Sequence, residues 1–169
     1  MSEHNIKIGV VPCSGEDCLG GTISRLATRK MLEIRPDETV TICLPLFLAG
    51  GVEERGFAGK FPTISVDGCS KFCAKRATEK YSGKVSASLN ISDFIGKEVA
   101  EAGALSTRNL TNEHREMVEK VANEVSIKFD VVMKDAIREL AAANGRAQTG
   151  GGPTGGCGCG GNSSVKITF

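Results

Sequence analysis

The most constraining feature of this sequence is a repeated change of hydrophobic period between Ile6 and Ile91. Ile6, Ile8 and Val10 alternate, as in a strand buried against a layer of helices. Pro12-Cys13-Ser14-Gly15 interrupts that run, and a loop through Gly20-Gly21 leads to Thr22, which the pattern makes the N-cap of a helix. Ile23, Leu26, Ala27, Met31 and Ile34 share a face of that helix, and Pro36 lies just past its end. Val40 to Leu44 reads as a second strand, and residues 45–61 as a long connection without a clear period. Thr63 to Asp67 is a third strand, running through Gly68 into a helix over Ser70–Tyr81. Val85, Ala87, Leu89 and Ile91 alternate as a fourth. Strands that alternate with helices demand a parallel sheet, because parallel neighbours can be joined only by a crossover. The expected architecture is a small three-layer α/β fold with a mostly parallel sheet of about four strands.

The remainder has another character. A short helical piece over Lys97–Ala102 is followed by a linker, Gly103–Leu110, and then by a long helix over Asn112–Asn144. Met117, Val118, Val121, Val125, Phe129, Val132, Ala136, Ile137 and Leu140 are its apolar positions, and Gly145 is its stop. At 1.5 Å per residue it would be about 50 Å long. It packs on the sheet or, in the sharper reading, docks a protein partner or a second copy in a homodimer. Sustained heptads are absent, which argues against a coiled coil. Eight of the twelve residues from Gly150 to Gly161 are Gly, around the pair Cys157 and Cys159. This composition reads as a flexible tail. The division expected is residues 1–102, a cysteine-rich α/β domain; 103–145, linker and helical extension; and 146–169, tail.

Composition narrows the function classes. Lys and Arg total 21 against 20 Asp and Glu, so nucleic acid and anionic membrane surfaces, which attract a basic excess, are not expected partners. With seven Phe, one Tyr and no Trp, no stacking platform for bases is expected. No secretory leader opens the sequence and no apolar run is long enough to span a bilayer, so a cytoplasmic protein is expected. Thiols stay reduced in that compartment, and the seven Cys then point to metal or redox chemistry rather than to a disulfide framework.

Five of those cysteines fall at strand ends. Cys13 follows the first strand and Cys18 lies in the same loop; Cys43 lies near the end of the second strand; Cys69 follows the third, with Cys73 four residues on. Ligands of open α/β sheets bind beyond the carboxyl ends of the strands, so the fold would gather these thiols at one rim. On a helix starting at Ser70, Cys69 and Cys73 would share a face. Four thiolates close a zinc site, and thiolates equally hold iron–sulfur clusters, so the cysteines alone do not separate the two. Helix N-termini beside Cys13, Cys18 and Cys69 would lower thiol pKa values, favouring metal binding and also nucleophilic attack. A thiol oxidoreductase or sulfurtransferase using Cys13 or Cys69 is therefore an alternative. His4 and His114 lie far from the cysteines in sequence. A phosphatase-type loop would need Arg six residues after its Cys; Leu19 and Ser24 stand there. No Walker loop or dinucleotide fingerprint occurs. Asp67 is a candidate helix-orienting residue, ligand support or acid.

The run Val66-Asp67-Gly68-Cys69-Ser70-Lys71-Phe72-Cys73 resembles the DGC-domain family, named for its Asp-Gly-Cys motif and described as zinc-binding. Cys13-Ser14-Gly15 with Cys18 resembles that family's N-terminal cysteine pair, Glu16-Asp17 standing as an insertion between them, and Cys43 is similar to a further family cysteine. The resemblance spans roughly residues 6–97 and leaves the long helix and the tail outside it. It implies zinc binding as a family property and no particular reaction; the strand-end placement makes Cys13, Cys18, Cys69 and Cys73 the expected ligands, with Cys43 as substitute or fifth thiol. The Cys157/Cys159 tail adds the expectation of metal or sulfur handling, since a mobile arm can visit a site and leave.

Overall fold

The β-branched runs at Ile8–Pro12 (β1) and Thr63–Asp67 (β3) are buried on both faces, which places them at the centre of a sheet. Thr39–Val40 (β2) and Ala87–Asn90 (β4) flank them, and the four strands lie in the order β2-β1-β3-β4, all parallel. These assignments come from a computed structural model that describes residues 6–13, 15 and 17–148, with side chains as far as Asn144. His4, Ser14 and the Cys157/Cys159 tail lie outside the described residues.

The sheet alternation sorts two cores. Ile8, Val10, Ile64, Val66 and Leu89 face one side, against Leu19, Ile23, Ala27 and Met31 of the helix Leu19–Ile34 (α1). Val11 and Cys13 face the other side, against Leu44, Phe47, Phe57 and Ala74. Phe47 belongs to the helix Leu44–Ala49 (α2), and the short helix Val52–Arg55 (α3) separates it from Phe57–Lys60 (α4). Ala74 belongs to the helix Cys73–Tyr81 (α5). The three-layer, parallel α/β reading therefore holds.

Several boundaries move. Residues 45–61 hold α2, α3 and α4, which bury Phe47 and Phe57. The second strand is only Thr39–Val40, because Pro45 in the first turn of α2 starts a helix where the strand was expected to finish. Thr22 is no N-cap: α1 begins at Leu19, with Cys18 at the cap position, and Thr22 is buried inside it. Short helices Ser92–Ile95 (α6) and Lys97–Ala100 (α7) lead through a 3-10 turn at Thr107–Asn109 to the helix Asn112–Gln148 (α8).

At 37 residues, α8 is about 55 Å long. It packs across α1 and the sheet, sending Val121, Val125 and Phe129 into the larger core with no exposed surface on any of them. Polar contacts fix its register on α1. Lys30 Nζ lies 2.9 Å from Glu119, Arg35 Nη2 lies 2.7 Å from Asp130, and the Arg35 guanidinium stands 4.7 Å above the Phe129 ring. No helix among the described residues is long and apolar enough to cross a membrane.

Candidate functional site

The strand order creates the site. β1 connects to β2 through α1 on one face, and β2 connects to β3 through α2, α3 and α4 on the other. The order in which strands are added thus reverses between the parallel neighbours β1 and β3, and the crevice beyond their carboxyl ends is the switch point where such sheets bind ligands. Cys13 follows β1 there, and Gly68-Cys69 follows β3.

A cavity of about 420 Å³ opens at this place, lined by Cys13, Cys18, Cys69 and Cys73 with Asp17, Lys71 and Glu101 among their neighbours. Cys43 does not line it; it is exposed at the N-cap position of α2. The four thiols differ in setting. Cys13 is buried, Cys18 and Cys69 are half-buried, and Cys73 is exposed. Among the described residues, no group of three or more His, Cys, Asp or Glu is arranged to hold a metal ion.

Asp67 explains the start of α5. Its carboxylate is fully buried and accepts from the N–H groups of Ala74 at 2.6 Å and Lys75 at 3.1 Å. It therefore caps α5 from the end of β3, and burial pushes its pKa up while those two N–H groups oppose the shift. Because the cap comes from so far back, α5 begins at Cys73 rather than Ser70. Cys69 and Cys73 accordingly do not share a helix face: they are separated by Phe72, whose φ of 51° is left-handed, a strained conformation for an aromatic residue.

Gly68 has a second role that residue-type reasoning missed. A Cβ there would lie 2.4 Å from Gly21 N and 2.5 Å from Gly20 C, and a Cβ on Gly20 would lie 2.1 Å from Gly68 O. Glycines on both sides let the first turn of α1 touch the β3–α5 loop backbone to backbone, which brings Cys18 up to Cys69. The Gly20-Gly21 pair was the available signal, although glycines at that spacing more often mark a loop. Two polar contacts brace the mouth: Lys71 Nζ to Asp17 Oδ2 at 3.2 Å, and Ser70 Oγ donating to Glu101 Oε1 at 2.8 Å.

Cys13 and Cys18 are not activated in the way that helix termini beside them would favour. Burial pushes Cys13 from 9.0 up to about 11; the Gly68 N–H, 3.3 Å from its sulfur, opposes this, and the charge on Asp67 adds to it. Burial, with Cys69 beside it, also raises Cys18 against the opposing Gly21 N–H. A thiol raised on folding contributes stability that is fully present below its unfolded pKa and is lost as pH rises through the folded value. For Cys13 that window runs from 9.0 to about 11. In reduced, metal-free protein, the stability that Cys13 supplies should fall by about 1 kcal/mol between pH 8 and pH 10. Urea unfolding of the parent and of Cys13→Ala at both pH values checks this. Identical pH dependence in the two proteins would contradict it.

The DGC domain matches residues 9–125. The chain belongs to the DGC domain family. Searches among curated proteins and among solved structures found no significant match. The DGC match runs beyond residue 97 and takes in the opening turns of α8, which the resemblance had left outside. This agrees with the burial of Val121 and Val125 in the same core as the sheet. In this DGC domain the Asp of the motif caps α5, the Gly permits the contact with α1, and the Cys enters the cavity.

Proposed function

We propose that this DGC domain binds a single zinc ion at the switch point through the thiolates of Cys13, Cys18, Cys69 and Cys73. The observation that carries this reading is that four cysteines from two strand-end loops line one cavity. The donor set suits zinc, which takes four thiolates in a closed tetrahedral site. Thiol pKa values raised by burial do not oppose it, because a bound cation favours the thiolate and inverts the local preference. Closing four sulfurs on one ion requires the two loops to draw together. Asp67 and Gly68 support the site by fixing the frame from which Cys69 projects. Cys43, exposed and outside the cavity, is not a ligand in this reading.

Competition for zinc between the reduced chain and a chelating chromophore tests the assignment. Cys18→Ser and Cys69→Ser should each weaken zinc binding at least about tenfold, the size of effect that follows loss of even a supporting group in a metal site. Cys43→Ser should leave it unchanged. Equal affinity across the series would remove the site from this cavity.

A further inference from the structure

We propose that Cys18 and Cys69 form a reversible disulfide across the cavity, made by exchange with a low-molecular-weight disulfide. Both side chains are half-buried and line one cavity that such a reagent can enter, and the contact of Gly68 with Gly20 and Gly21 sets the two loops that carry them backbone to backbone. Their backbones are held on both sides. Cys18 pairs with Gly103 in an antiparallel bridge, and the next N–H, that of Leu19, donates to Ala102 O at 2.8 Å. Cys69 follows Gly68, whose backbone lies against Gly20 and Gly21. Little order remains to be imposed when the bond forms, and favourable pre-placement is what a disulfide requires.

The other thiols are poorer partners. Cys13 is buried with its sulfur accepting the Gly68 N–H, and Cys73 sits beyond the left-handed Phe72 at the start of α5. The exchange balances in two steps. One thiol of the pair loses its proton and its sulfur attacks the reagent's S–S bond, which breaks and releases one small thiolate that takes up a proton. The second thiol, deprotonated in turn, attacks the mixed disulfide on the protein and releases the second small thiol. The protein dithiol is oxidised by two electrons and the reagent is reduced by two. The bond ties the first turn of α1 to the β3–α5 loop. This inference stands on the pair's geometry and needs no bound metal; beside the zinc reading, it adds an oxidised state in which two of the four thiols are tied up.

The test uses the full chain with Cys43, Cys157 and Cys159 changed to Ser, reduced and stripped of metal with a chelator. It is equilibrated in buffers of reduced and oxidised glutathione, quenched by alkylation and mapped as peptides. The expected product is a dominant Cys18–Cys69 linked peptide that disappears in excess reduced glutathione. Cys73→Ser should retain it, whereas Cys18→Ser should leave glutathione attached at Cys69. If a variant fails to fold by circular dichroism, the map of the Cys18- and Cys69-containing protein decides by itself. No internal bridge at any ratio, or a dominant bridge through Cys13 or Cys73, would overturn the proposal. Zinc affinity of the reduced chain is measured in parallel: zinc binding without the bridge sinks this inference alone, and the bridge without zinc binding sinks the zinc reading alone.

Discussion

Phe129→Ala is expected to destabilise the protein by about 4 kcal/mol, the usual cost of deleting a buried aromatic side chain and leaving a cavity. Phe129 has no exposed surface and sits with Val125 and Val132 in the larger core, where α8 covers the sheet and α1. Its ring also carries the Arg35 guanidinium at 4.7 Å, and Arg35 reaches on to Asp130 at 2.7 Å. Truncation therefore leaves a void under α8 and removes the surface on which Arg35 rests. Urea unfolding at neutral pH, followed by circular dichroism, gives the value directly. Exposed Ile127→Ala on the same helix is the control, and should change stability by no more than about 0.5 kcal/mol. A cost below about 1.5 kcal/mol for Phe129→Ala would mean that the middle of α8 is not part of the core.

Gly68→Ala is the second large effect. The added methyl would lie 2.4 Å from Gly21 N and 2.5 Å from Gly20 C. These are backbone atoms, so no side chain can swing aside and the first turn of α1 must separate from the β3–α5 loop. Overpacking of this kind costs about 3 kcal/mol. The same movement carries Cys69 away from Cys18, so zinc affinity should fall with stability. Gly59→Ala is the matched control, since a Cβ there meets nothing within 4 Å; it should be neutral or stabilise by about 0.5 kcal/mol, through the chain entropy that Ala removes from the unfolded state. Equal stability for the two alanine variants would refute the close contact between α1 and the loop.

The contrast between these two glycines shows where sequence reading succeeds and where it stops. The period changes located the strands and the crossover helices because alternation at Ile8, Val10 and Val11 is a local consequence of having two faces to bury. The cysteine rim was legible for the same reason: once β1 and β3 are parallel neighbours, Cys13 and Cys69 must emerge at the same end. Tertiary causes were not legible. Gly20-Gly21 reads as a loop until the loop around Gly68 is seen to press on it, and α5 reads as starting at Ser70 until Asp67 is seen capping Ala74 and Lys75. α2 could have been found, since Pro45 in a first turn followed by Phe47 marks a helix start. Cys43 looked like a member of the rim only while β2 was read as reaching it; the strand stops at Val40.

The central claim is that the thiol cavity holds zinc. The most direct test is elemental analysis of the full chain, purified without oxygen and without added metal, together with its visible spectrum. About one zinc per chain and no colour is the result expected for a closed thiolate site. Iron with acid-labile sulfide and broad visible absorption would contradict it in favour of a cluster, and well-folded protein without metal would contradict it outright.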